Sequence, residues 1–489
     1  IKIHQTKGAD DLPVFTSKSF TDLNYLHTAK LISNTKNVRP YFATHNAHTI
    51  SAIMHLYSNK EKNFEFQRIF GMGDLTYRNA EKVFDDLPLT RIYAPVGSKK
   101  ELLPYLVRRL LENGANSSFV NKYLSSEVPV SEVVKNPIEI ANANLQSGAF
   151  LENVKRPHEI FIDRKNSKGF DYADAENLKN LNSEFEDFSS IKFVAKSILA
   201  DDLDLKELPK KMYCPGNNKK TIGTTLFATN EVVAHLQNKM PNNQWQDVSL
   251  DIKKEIFQKV AEQLHQNQSK LFYLLATEAG KTLKDADAEV REAIDFVNYY
   301  VCEGEKAFLP HKLTGPTGEN NYLSHEAKGN FLCISPWNFP LAIFVGQITA
   351  ALVAGNNVIA KPAEDTSIIA YEVIKIFHNA GIPKEALQLV IADKEVSDEL
   401  TKLNWLSGIA FTGSSEAAKK INLNLAMSEG PIKTFIAETG GLNAMFVDSS
   451  ALKEQVIDDI IRSAFLSAGQ RCSALRVVYV QDDVADEYW

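Results

Sequence analysis

Cys472 has the sequence surroundings of a reactive thiol. It lies in the segment SAGQRCSALR, residues 467–476, where Gly469 and two polar residues precede it. A thiolate in such a turn can project into a cleft and attack a carbonyl carbon, whereas a lone cysteine is more often a small residue of the core. The segment by itself leaves both roles open.

Two further segments contain groups that a thiol reaction of this kind requires. Asn338, in ISPWNFP, follows an apolar strand pattern, and its amide can donate to a developing oxyanion. Glu438, in FIAETGG, ends another such pattern before Gly440 and Gly441, and its carboxylate can activate water. In isolation a turn asparagine and a solvated strand-end glutamate are the simpler interpretations. Their occurrence together with Cys472 favours an active site.

A glycine-bearing turn follows a third apolar run. FTGS, residues 411–414, joins a predicted strand to a predicted helix, which is where α/β sheets bind dinucleotides. The full GxGxxG fingerprint is absent, because residues 415–419 read SEAAK. The turn is therefore a weak signal when it is taken alone.

Adjacent arginines near the start of the chain indicate a second kind of site. Arg108 and Arg109 lie in YLVRRLLENGANSSFVN, residues 105–121. Two guanidinium groups can hold a carboxylate bidentately, but Glu112, one helical turn away, also allows a surface ion-pair cluster. The helical spacing predicts a buried apolar stripe, comprising Leu103, Leu106, Val107, Leu110 and Leu111.

The predicted elements divide the chain into three parts. Residues 1–125 alternate strand-like runs (LPVFTSK, PYFATHN, TRIYAPVG) with helical ones, which predicts βα units. Residues 126–220 are polar, rich in Asn and weakly periodic, which indicates a connecting region. In 221–489, a helical region with Ser249 as a helix cap precedes the apolar runs NFLCIS, NNVIAKP, ALQLVIA, GIAFTGS, IKTFIAE, NAMFVDS and RVVYVQD. Such runs alternating with helices predict a parallel sheet covered on both faces.

Composition excludes several classes of protein. A chain of 489 residues exceeds one ordinary core, and 44% hydrophobic with 24% charged residues is typical of globular proteins. The net charge of -7 argues against a general nucleic-acid surface. Four cysteines without a CxxC spacing predict a reducing cytoplasm and no metal site.

The thiol segment and its companions resemble a known family. ISPWNFP, FTGS, FIAETGG and SAGQRCSALR resemble, in this order and spacing, the NAD-dependent aldehyde dehydrogenases over roughly residues 220–489. The resemblance implies a Rossmann-like NAD-binding domain and the start of a catalytic domain. It makes Cys472 the nucleophile, Asn338 the oxyanion donor and Glu438 the general base. The NAD-binding positions that it implies are Ser335, Trp337, Lys361, Glu364, Gly413, Ser414 and Gly440.

The aldehyde is suggested by a narrower resemblance. SAGQRCSALR and AETGGLNA look most like glutamate-semialdehyde (1-pyrroline-5-carboxylate) dehydrogenases. This implies that Ser473 lies near the substrate carboxylate, Phe339 against its carbon chain and Glu292 at the pocket entrance. Taken alone, Glu292 would be an ordinary surface charge on a helix.

The arginine segment belongs to a second resemblance. With PVFTSKSFTD, FATHNAHT, FEFQRIFGMGD and RIYAPVG it resembles the proline dehydrogenase barrel of bacterial proline utilization A proteins, over about residues 13–121. The resemblance implies the C-terminal part of a (β/α)8 barrel in which Arg108 and Arg109 hold proline while Tyr93 and Ile69 wall the pocket. Ile69 departs from the family, which more often has Leu. The implied FAD contacts are Thr16, Lys18, Thr44, His45, Asn46, Gln67, Glu112, Ser117, Ser118 and Phe119.

Together the two resemblances imply a bifunctional enzyme that oxidises proline to glutamate with FAD and NAD. They also imply a quinone or membrane electron acceptor, a homo-oligomer, and a cytoplasmic location peripheral to the inner membrane face. Each covers part of its family's domain, so we expect an internal fragment lacking both ends, with DNA binding only if a missing N-terminal segment supplies it. The alternatives are an aldehyde dehydrogenase of other specificity with a non-catalytic N-terminal unit, and a proline-sensing or scaffold protein.

Overall fold

The chain forms two compact units. The computed structural model describes residues 1–9, 12–114, 129, 131, 135–147, 154–201, 206–239 and 244–488. The first unit comprises Ile1 and Leu12–Arg156, and the second comprises Lys2–Asp11 and Pro157–Trp489. The three-part division expected from the sequence remains a prediction.

Helices and strands alternate through much of the described chain. The α-helices are α1 (Lys2–Thr6), α2 (Lys18–Ser33), α3 (Ala47–Leu56), α4 (Asp74–Val83), α5 (Lys99–Gly114), α6 (Pro137–Ser147), α7 (Ala175–Ser190), α8 (Asn230–Asn238), α9 (Leu250–Gln266), α10 (Gln268–Thr277), α11 (Leu283–Phe308), α12 (Ala342–Val353), α13 (Ser367–Ala380), α14 (Lys394–Leu400), α15 (Ser415–Ala426) and α16 (Lys453–Phe465). The strands are β1 (Tyr41–Ala43), β2 (Glu65–Ile69), β3 (Thr90–Tyr93), β4 (Phe193–Ala195), β5 (Glu207–Cys214), β6 (Asn217–Ala228), β7 (His311–Leu313), β8 (Asn321–Leu323), β9 (Asn330–Ile334), β10 (Asn357–Lys361), β11 (Leu387–Leu389), β12 (Gly408–Gly413), β13 (Thr434–Thr439), β14 (Asn443–Val447) and β15 (Leu475–Val480).

The first unit is built on three parallel strands in sequence order. β2 pairs with β1 on one side and with β3 on the other, and α3 and α4 form the two crossovers. Parallel strands that lie side by side in sequence order are found in the wall of a β/α barrel. In a doubly wound sheet, by contrast, the strand order reverses at the centre. The predicted βα units are therefore present.

The two faces of this short sheet have different characters. Phe42 and Phe66 point to the helices, where they join the buried core of the unit. Gln67 is in register with Arg91, and Ile69 with Tyr93, so these residues share the opposite face. We call this face, lined by Gln67, Ile69, Arg91 and Tyr93, the inner face.

Two expectations for the first unit were wrong. LPVFTSK is not a strand: Val14 and Phe15 are more than half exposed, and α2 begins at Lys18. The apolar stripe of α5 is not buried, since its five members are 46% to 71% exposed. The stripe stays open because no other described element packs extensively against α5.

The second unit contains the predicted parallel sheet. Its strand order is β11-β10-β9-β12-β13. The chain therefore starts at the central strand β9, continues to the edge strand β11, and then crosses to β12 and β13 on the other side of β9. β9 and β10 are buried along their whole length because helices cover both faces of the sheet. All seven apolar runs predicted as strands form β9 to β15, and Ser249 caps α9 as predicted.

The most apolar stretch, residues 340–360, folds as α12 and β10 with a turn at Gly355, whose φ is 84°. Within the described ranges, no helix is long and apolar enough to cross a membrane.

Candidate active sites

The residues expected to bind NAD and aldehyde gather at one edge of the large sheet. β9 leads into Ser335 and Asn338, β10 ends at Lys361, and β12 ends at Gly413. Glu438 lies near the end of β13, in register with Thr412 of β12. Parallel strands end at a common edge, and ligands of open α/β sheets bind where the strand order reverses.

Cys472 lies in a tight exposed turn. The preceding residues Ser467, Ala468 and Gly469 have φ values of 55°, 54° and 70°, which is unusual for the two residues other than glycine. The N–H of Ala474 donates to the carbonyl of Arg471 at 3.1 Å, so Cys472 and Ser473 occupy the centre of the turn. The thiol is free and exposed, which argues against the role of a small core residue.

A side-chain hydrogen bond joins Asn338 to this turn. Asn338 Nδ2 donates to the backbone carbonyl of Gln470 at 3.0 Å. An amide NH2 group has a second hydrogen, so this contact leaves one donor for another acceptor. The structure thus brings the segment ISPWNFP and the cysteine turn together, as the expected pairing of oxyanion donor and nucleophile requires.

Glu438 lies at the same edge but is less constrained. Its side chain is exposed, and no hydrogen bond among the described residues links it to Asn338 or Cys472. Its neighbour Thr412 accepts a hydrogen bond from Gln347 Nε2 at 3.0 Å. Ser473 is exposed in the turn beside the thiol.

A buried ion pair supports the loop that carries Asn338. Lys281 Nζ lies 2.5 Å from Glu289 Oε2, and the two side chains are 2% and 1% exposed. Glu289 Oε1 accepts from the N–H groups of Leu341 and Ala342 at 2.9 and 3.3 Å, at the start of α12. Lys281 Nζ also lies 4.2 Å from the ring centroid of Phe339. The pair therefore positions the residues on the C-terminal side of Asn338.

Glu292 lies one turn after Glu289 on α11. Burial raises the pKa of Glu292, the negative charge of Glu289 raises it further, and the charge of Lys281 opposes both effects. Sequence reasoning selected Glu292 but missed Lys281 and Glu289. The i, i+3 spacing of Glu289 and Glu292 on one helix was the signal available for Glu289.

Replacing Lys281 with Met is expected to lower the free energy of unfolding by about 3–5 kcal/mol, because the Glu289 carboxylate would remain buried without its cation. Chemical denaturation of the second unit measures this loss. Lys402→Met is the matched control: Lys402 is 44% exposed and pairs with two carboxylates, so its loss should cost about 1 kcal/mol or less. Equal losses would contradict a structural role for the Lys281–Glu289 pair.

The expected NAD positions include a buried polar atom without a partner. Ser335 is 4% exposed, and its Oγ has no hydrogen-bond partner among the residues that the structure describes. Lys361 is buried beside it, and burial lowers the pKa of its ammonium group. Glu364 opens a short 3-10 helix, with Lys210 Nζ 4.0 Å from its carboxylate. These residues fit a ligand with several hydroxyl groups such as NAD.

The remaining NAD positions follow β9, β12 and β13 at the same edge of the sheet. Ser414 caps this helix by accepting from Ala417 N at 3.2 Å, which leaves other N–H groups of the first turn for an anion. A Cβ added at Gly440 would meet no atom within 4 Å, so the backbone there is open to approach. Trp337 is exposed at the same edge.

In the first unit, the expected flavin and proline residues lie at the ends of β1, β2 and β3. Thr44 and Asn46 are engaged locally, since Thr44 Oγ1 accepts from Asn46 N at 3.1 Å and Asn46 caps α3. Gln67, Ile69 and Tyr93 share the inner face, where Tyr93 is 42% exposed. An aromatic and polar face of this kind fits a flat flavin ring.

The other expected residues of this site are more scattered. Arg108 is exposed and Arg109 partly buried on α5, with the Arg109 guanidinium 5.3 Å from the ring centroid of Tyr105. Lys18 pairs with Asp22 in α2, and Thr16 is half-buried just before that helix. Ser117, Ser118, Phe119 and the Glu112 side chain lie outside the described residues.

A buried carboxylate on β2 was not found from the sequence. Glu65 Oε1 and Oε2 lie 2.7 and 3.0 Å from Arg91 Nε and Nη2, and Gln67 Nε2 donates to Oε1 at 3.4 Å. The hydrogen bonds from Arg91 hold the pKa of Glu65 below its usual range, although burial opposes this. The pair orients Gln67 and Arg91 on the inner face.

His45 is held in its neutral form. Its Nε2 accepts from Ile69 N at 3.3 Å, which requires an unprotonated nitrogen. Burial lowers the pKa of His45, and the charges of Arg68 and Arg109 lower it further. Because the pKa is lower in the folded state, the stability that His45 contributes is fully present above about pH 6.5 and is lost as the pH falls below it.

Mild acidification should therefore open the β1–β2 region more in the wild-type protein than in the variant His45→Gln. The amide oxygen of the glutamine can accept the hydrogen bond from the N–H of Ile69 at any pH. Hydrogen exchange of peptides covering residues 41–69, corrected for intrinsic rates, measures this opening. The exposed His55→Gln is the control and should behave as wild type. Identical pH dependence in His45→Gln and wild type would contradict the role of His45.

Comparison with known proteins identifies the family. Residues 207–489 match the aldehyde dehydrogenase family, and residues 1–122 match proline dehydrogenase. The chain belongs to the aldehyde dehydrogenase family. Together the two matches confirm the predicted α/β fold class, in which an aldehyde dehydrogenase domain follows a proline dehydrogenase domain.

Curated relatives match nearly the whole chain or about two thirds of it. Bifunctional protein PutA of Salmonella typhimurium is 42% identical, with 99% of this chain and 37% of the relative covered. A 1-pyrroline-5-carboxylate dehydrogenase of Staphylococcus aureus is 30% identical, covering 67% of this chain and 65% of the relative. The resemblance to proline utilization A proteins is thereby confirmed. The chain spans 37% to 39% of the length of the PutA relatives.

Solved structures agree with this result. A proline utilization A mutant of Bradyrhizobium japonicum has a TM-score of 0.82 at 41% identity, with 100% of this chain and 46% of that chain covered. Proline utilization A of Bdellovibrio bacteriovorus, inactivated by N-propargylglycine, has a TM-score of 0.87 at 30% identity, covering 100% and 51%. Proteins that match these two family models use a flavin and NAD in general.

Proposed function

We propose that this chain is part of a bifunctional enzyme that oxidises L-proline to L-glutamate. The first reaction converts proline to 1-pyrroline-5-carboxylate with FAD, and the second oxidises glutamate semialdehyde with NAD. The observation that carries the proposal is the hydrogen bond from Asn338 to the turn of Cys472, which joins the amide expected to bind the oxyanion to the turn of an exposed thiol. The high identity to PutA relatives over 99% of the chain supports the pairing of the two reactions.

In the aldehyde reaction, the Cys472 thiolate attacks the aldehyde carbon and the free amide hydrogen of Asn338 stabilises the oxyanion. The chemistry that NAD supplies when bound is acceptance of a hydride. Glu438 then removes a proton from water, which attacks the thioester on Cys472 and releases glutamate and the thiolate. In total the aldehyde, NAD+ and water give a carboxylate, NADH and two protons.

The edge of the sheet holds the cofactor and substrate in this scheme. Phe339 packs against the aldehyde chain, Ser473 binds its carboxylate, and Glu292 lies at the pocket entrance. The residues assigned to NAD are Ser335, Trp337, Lys361, Glu364, Gly413, Ser414 and Gly440. Glu364 favours NAD over NADP, because a carboxylate near the ribose repels a 2′-phosphate.

In the proline reaction, the protein acts by positioning. Arg108 and Arg109 hold the carboxylate of proline, and Tyr93 and Ile69 close the pocket. The chemistry that FAD supplies when bound is acceptance of a hydride from C5 of proline. The residues assigned to FAD are Thr16, Lys18, Thr44, His45, Asn46, Gln67, Glu112, Ser117, Ser118 and Phe119.

The product of the first reaction is the precursor of the second substrate. 1-Pyrroline-5-carboxylate opens by hydrolysis to glutamate semialdehyde, which links the two sites chemically. A quinone or membrane acceptor for the flavin electrons, a homo-oligomeric assembly and a cytoplasmic location peripheral to the inner membrane face complete the proposal.

Separate assays of the two reactions test this function. The full-length protein that contains the chain should reduce a quinone-like dye when proline is supplied, and should form NADH from glutamate semialdehyde without dye. NADH formed equally well from simple aldehydes would favour an aldehyde dehydrogenase of other specificity. Binding of proline without dye reduction would favour a sensor.

A further inference from the structure

The turn of Cys472 is held by a residue to which neither the motifs nor the chemistry above assign a role. Asn443 Nδ2 donates to the backbone carbonyls of Cys472 and Ala474, at 2.7 and 3.0 Å. One amide group thus binds the carbonyls on both sides of Ser473. In the described residues, no other side chain donates to either carbonyl.

A β-bulge orients Asn443 toward the turn. Asn443 is the first residue of β14 and pairs with Leu475, whereas the next residue, Ala444, pairs with Val477. Arg476 is therefore an extra residue on β15. Bulges change the direction of side chains at the ends of strands. Both residues at this bulge reach back to the turn, because Arg476 Nη2 also donates to the carbonyl of Gly469 at 2.9 Å.

The two sides of the thiol are held by different groups. Asn338 and Arg476 bond carbonyls that precede Cys472, and Asn443 bonds the carbonyls that follow it. A peptide unit is planar, so fixing its carbonyl also fixes its N–H. Asn443 therefore fixes the peptide unit between Cys472 and Ser473. This limits rotation of the turn about the Cα of Cys472.

Asn443 also connects two parts of the site along the chain. It follows Glu438 by five residues, across Gly440 and Gly441. The hydrogen bonds to the Cys472 turn therefore tie the segment after the general base to the backbone of the nucleophile. Two glycines would otherwise leave this connection loosely constrained.

We propose that Asn443 is a positioning residue that sets the thiol of Cys472 relative to the Asn338 amide. The inference rests on the proposed aldehyde reaction. Asn443 acts through the backbone carbonyls of Cys472 and Ala474 and makes no bond to substrate. Small displacements of a reacting group cost about 100-fold in rate, so the effect falls on kcat.

The test compares Asn443→Ala with Asn424→Ala in the full-length protein, below the unfolding temperature of every variant. Asn424 is the matched control, because its Nδ2 also makes two hydrogen bonds, to Thr401 Oγ1 at 2.8 Å and Asp398 Oδ1 at 3.2 Å. Asn443→Ala should lower kcat for NADH formation about 10- to 100-fold with a smaller change in KM, while Asn424→Ala leaves both unchanged. Asn443→Ser, which retains a shorter donor, should recover part of kcat.

Alkylation of Cys472 by iodoacetamide, followed by mass spectrometry of its peptide, shows whether the thiol is still accessible and reactive. A thiol that alkylates as in wild type while kcat falls supports a positioning role. Wild-type kcat in Asn443→Ala, or an equal loss in Asn424→Ala, would overturn it. If the wild-type protein itself forms no NADH from glutamate semialdehyde, the proposed function fails instead.

Discussion

Replacing Cys472 with Ala is expected to abolish NADH formation from glutamate semialdehyde while proline-dependent dye reduction continues at the wild-type rate. The thiolate forms the covalent bond to the aldehyde carbon, and the other three cysteines are buried or only partly exposed. Removing a nucleophile of this kind lowers kcat by about 10⁴-fold or more. The exposed position of the side chain means that stability should change little. Initial rates of NADH formation measure the loss.

Cys214→Ala provides the matched control for this substitution. Cys214 is partly exposed at the end of β5 and has no role in the proposed reaction, so its loss should leave NADH formation intact. A Cys472→Ala protein that retained a rate close to wild type would remove Cys472 from the role of nucleophile. Loss of activity in both variants would point to general damage by cysteine substitution.

Replacing Arg109 with Met is expected to raise KM for proline about 100-fold, with a smaller change in kcat. A hydrogen bond between charged groups contributes about 1.5–3 kcal/mol, and the proline carboxylate would lose one of its two arginine partners. Met retains much of the aliphatic volume of the side chain, so the helix should remain folded. Dye reduction as a function of proline concentration measures both constants.

Arg78→Met is the control for the arginine substitution. Arg78 is exposed on α4 and is outside the expected site, so its loss should leave KM for proline unchanged. If Arg109→Met and Arg78→Met had the same small effect, the arginines of α5 would be surface charges, as the ion-pair interpretation of the sequence holds. NADH formation from glutamate semialdehyde should be normal in both proteins.

The strands of the large sheet were predictable because their signal is local. Runs such as NNVIAKP and GIAFTGS are apolar, short and bounded by turn residues, and β10 and β12 form there. Burial on both faces removes the need for alternation, so a continuous apolar run suffices. The predicted burial of the α5 stripe was wrong for the converse reason. Helical spacing identifies an apolar face, but it does not show whether another element covers that face.

The site was predictable where a motif joins several residue types. Cys472, Asn338 and Glu438 were selected jointly, and the contact of Asn338 with the turn of Cys472 agrees with that selection. Lys281 and Asn443 were missed because their roles depend on partners far along the chain. Lys281 meets Phe339, and Asn443 meets Cys472 through a bulge that local spacing does not reveal.

The most direct test of the central claim follows isotope-labelled proline through the full-length protein with a quinone-like acceptor and NAD. We expect labelled glutamate and NADH to appear together from proline as the only carbon substrate. In Cys472→Ala the label should accumulate in 1-pyrroline-5-carboxylate. In Arg109→Met the conversion of labelled proline should be slower. Accumulation of 1-pyrroline-5-carboxylate without NADH in the wild-type protein would contradict the second half of the claim, and unreacted proline would contradict the first.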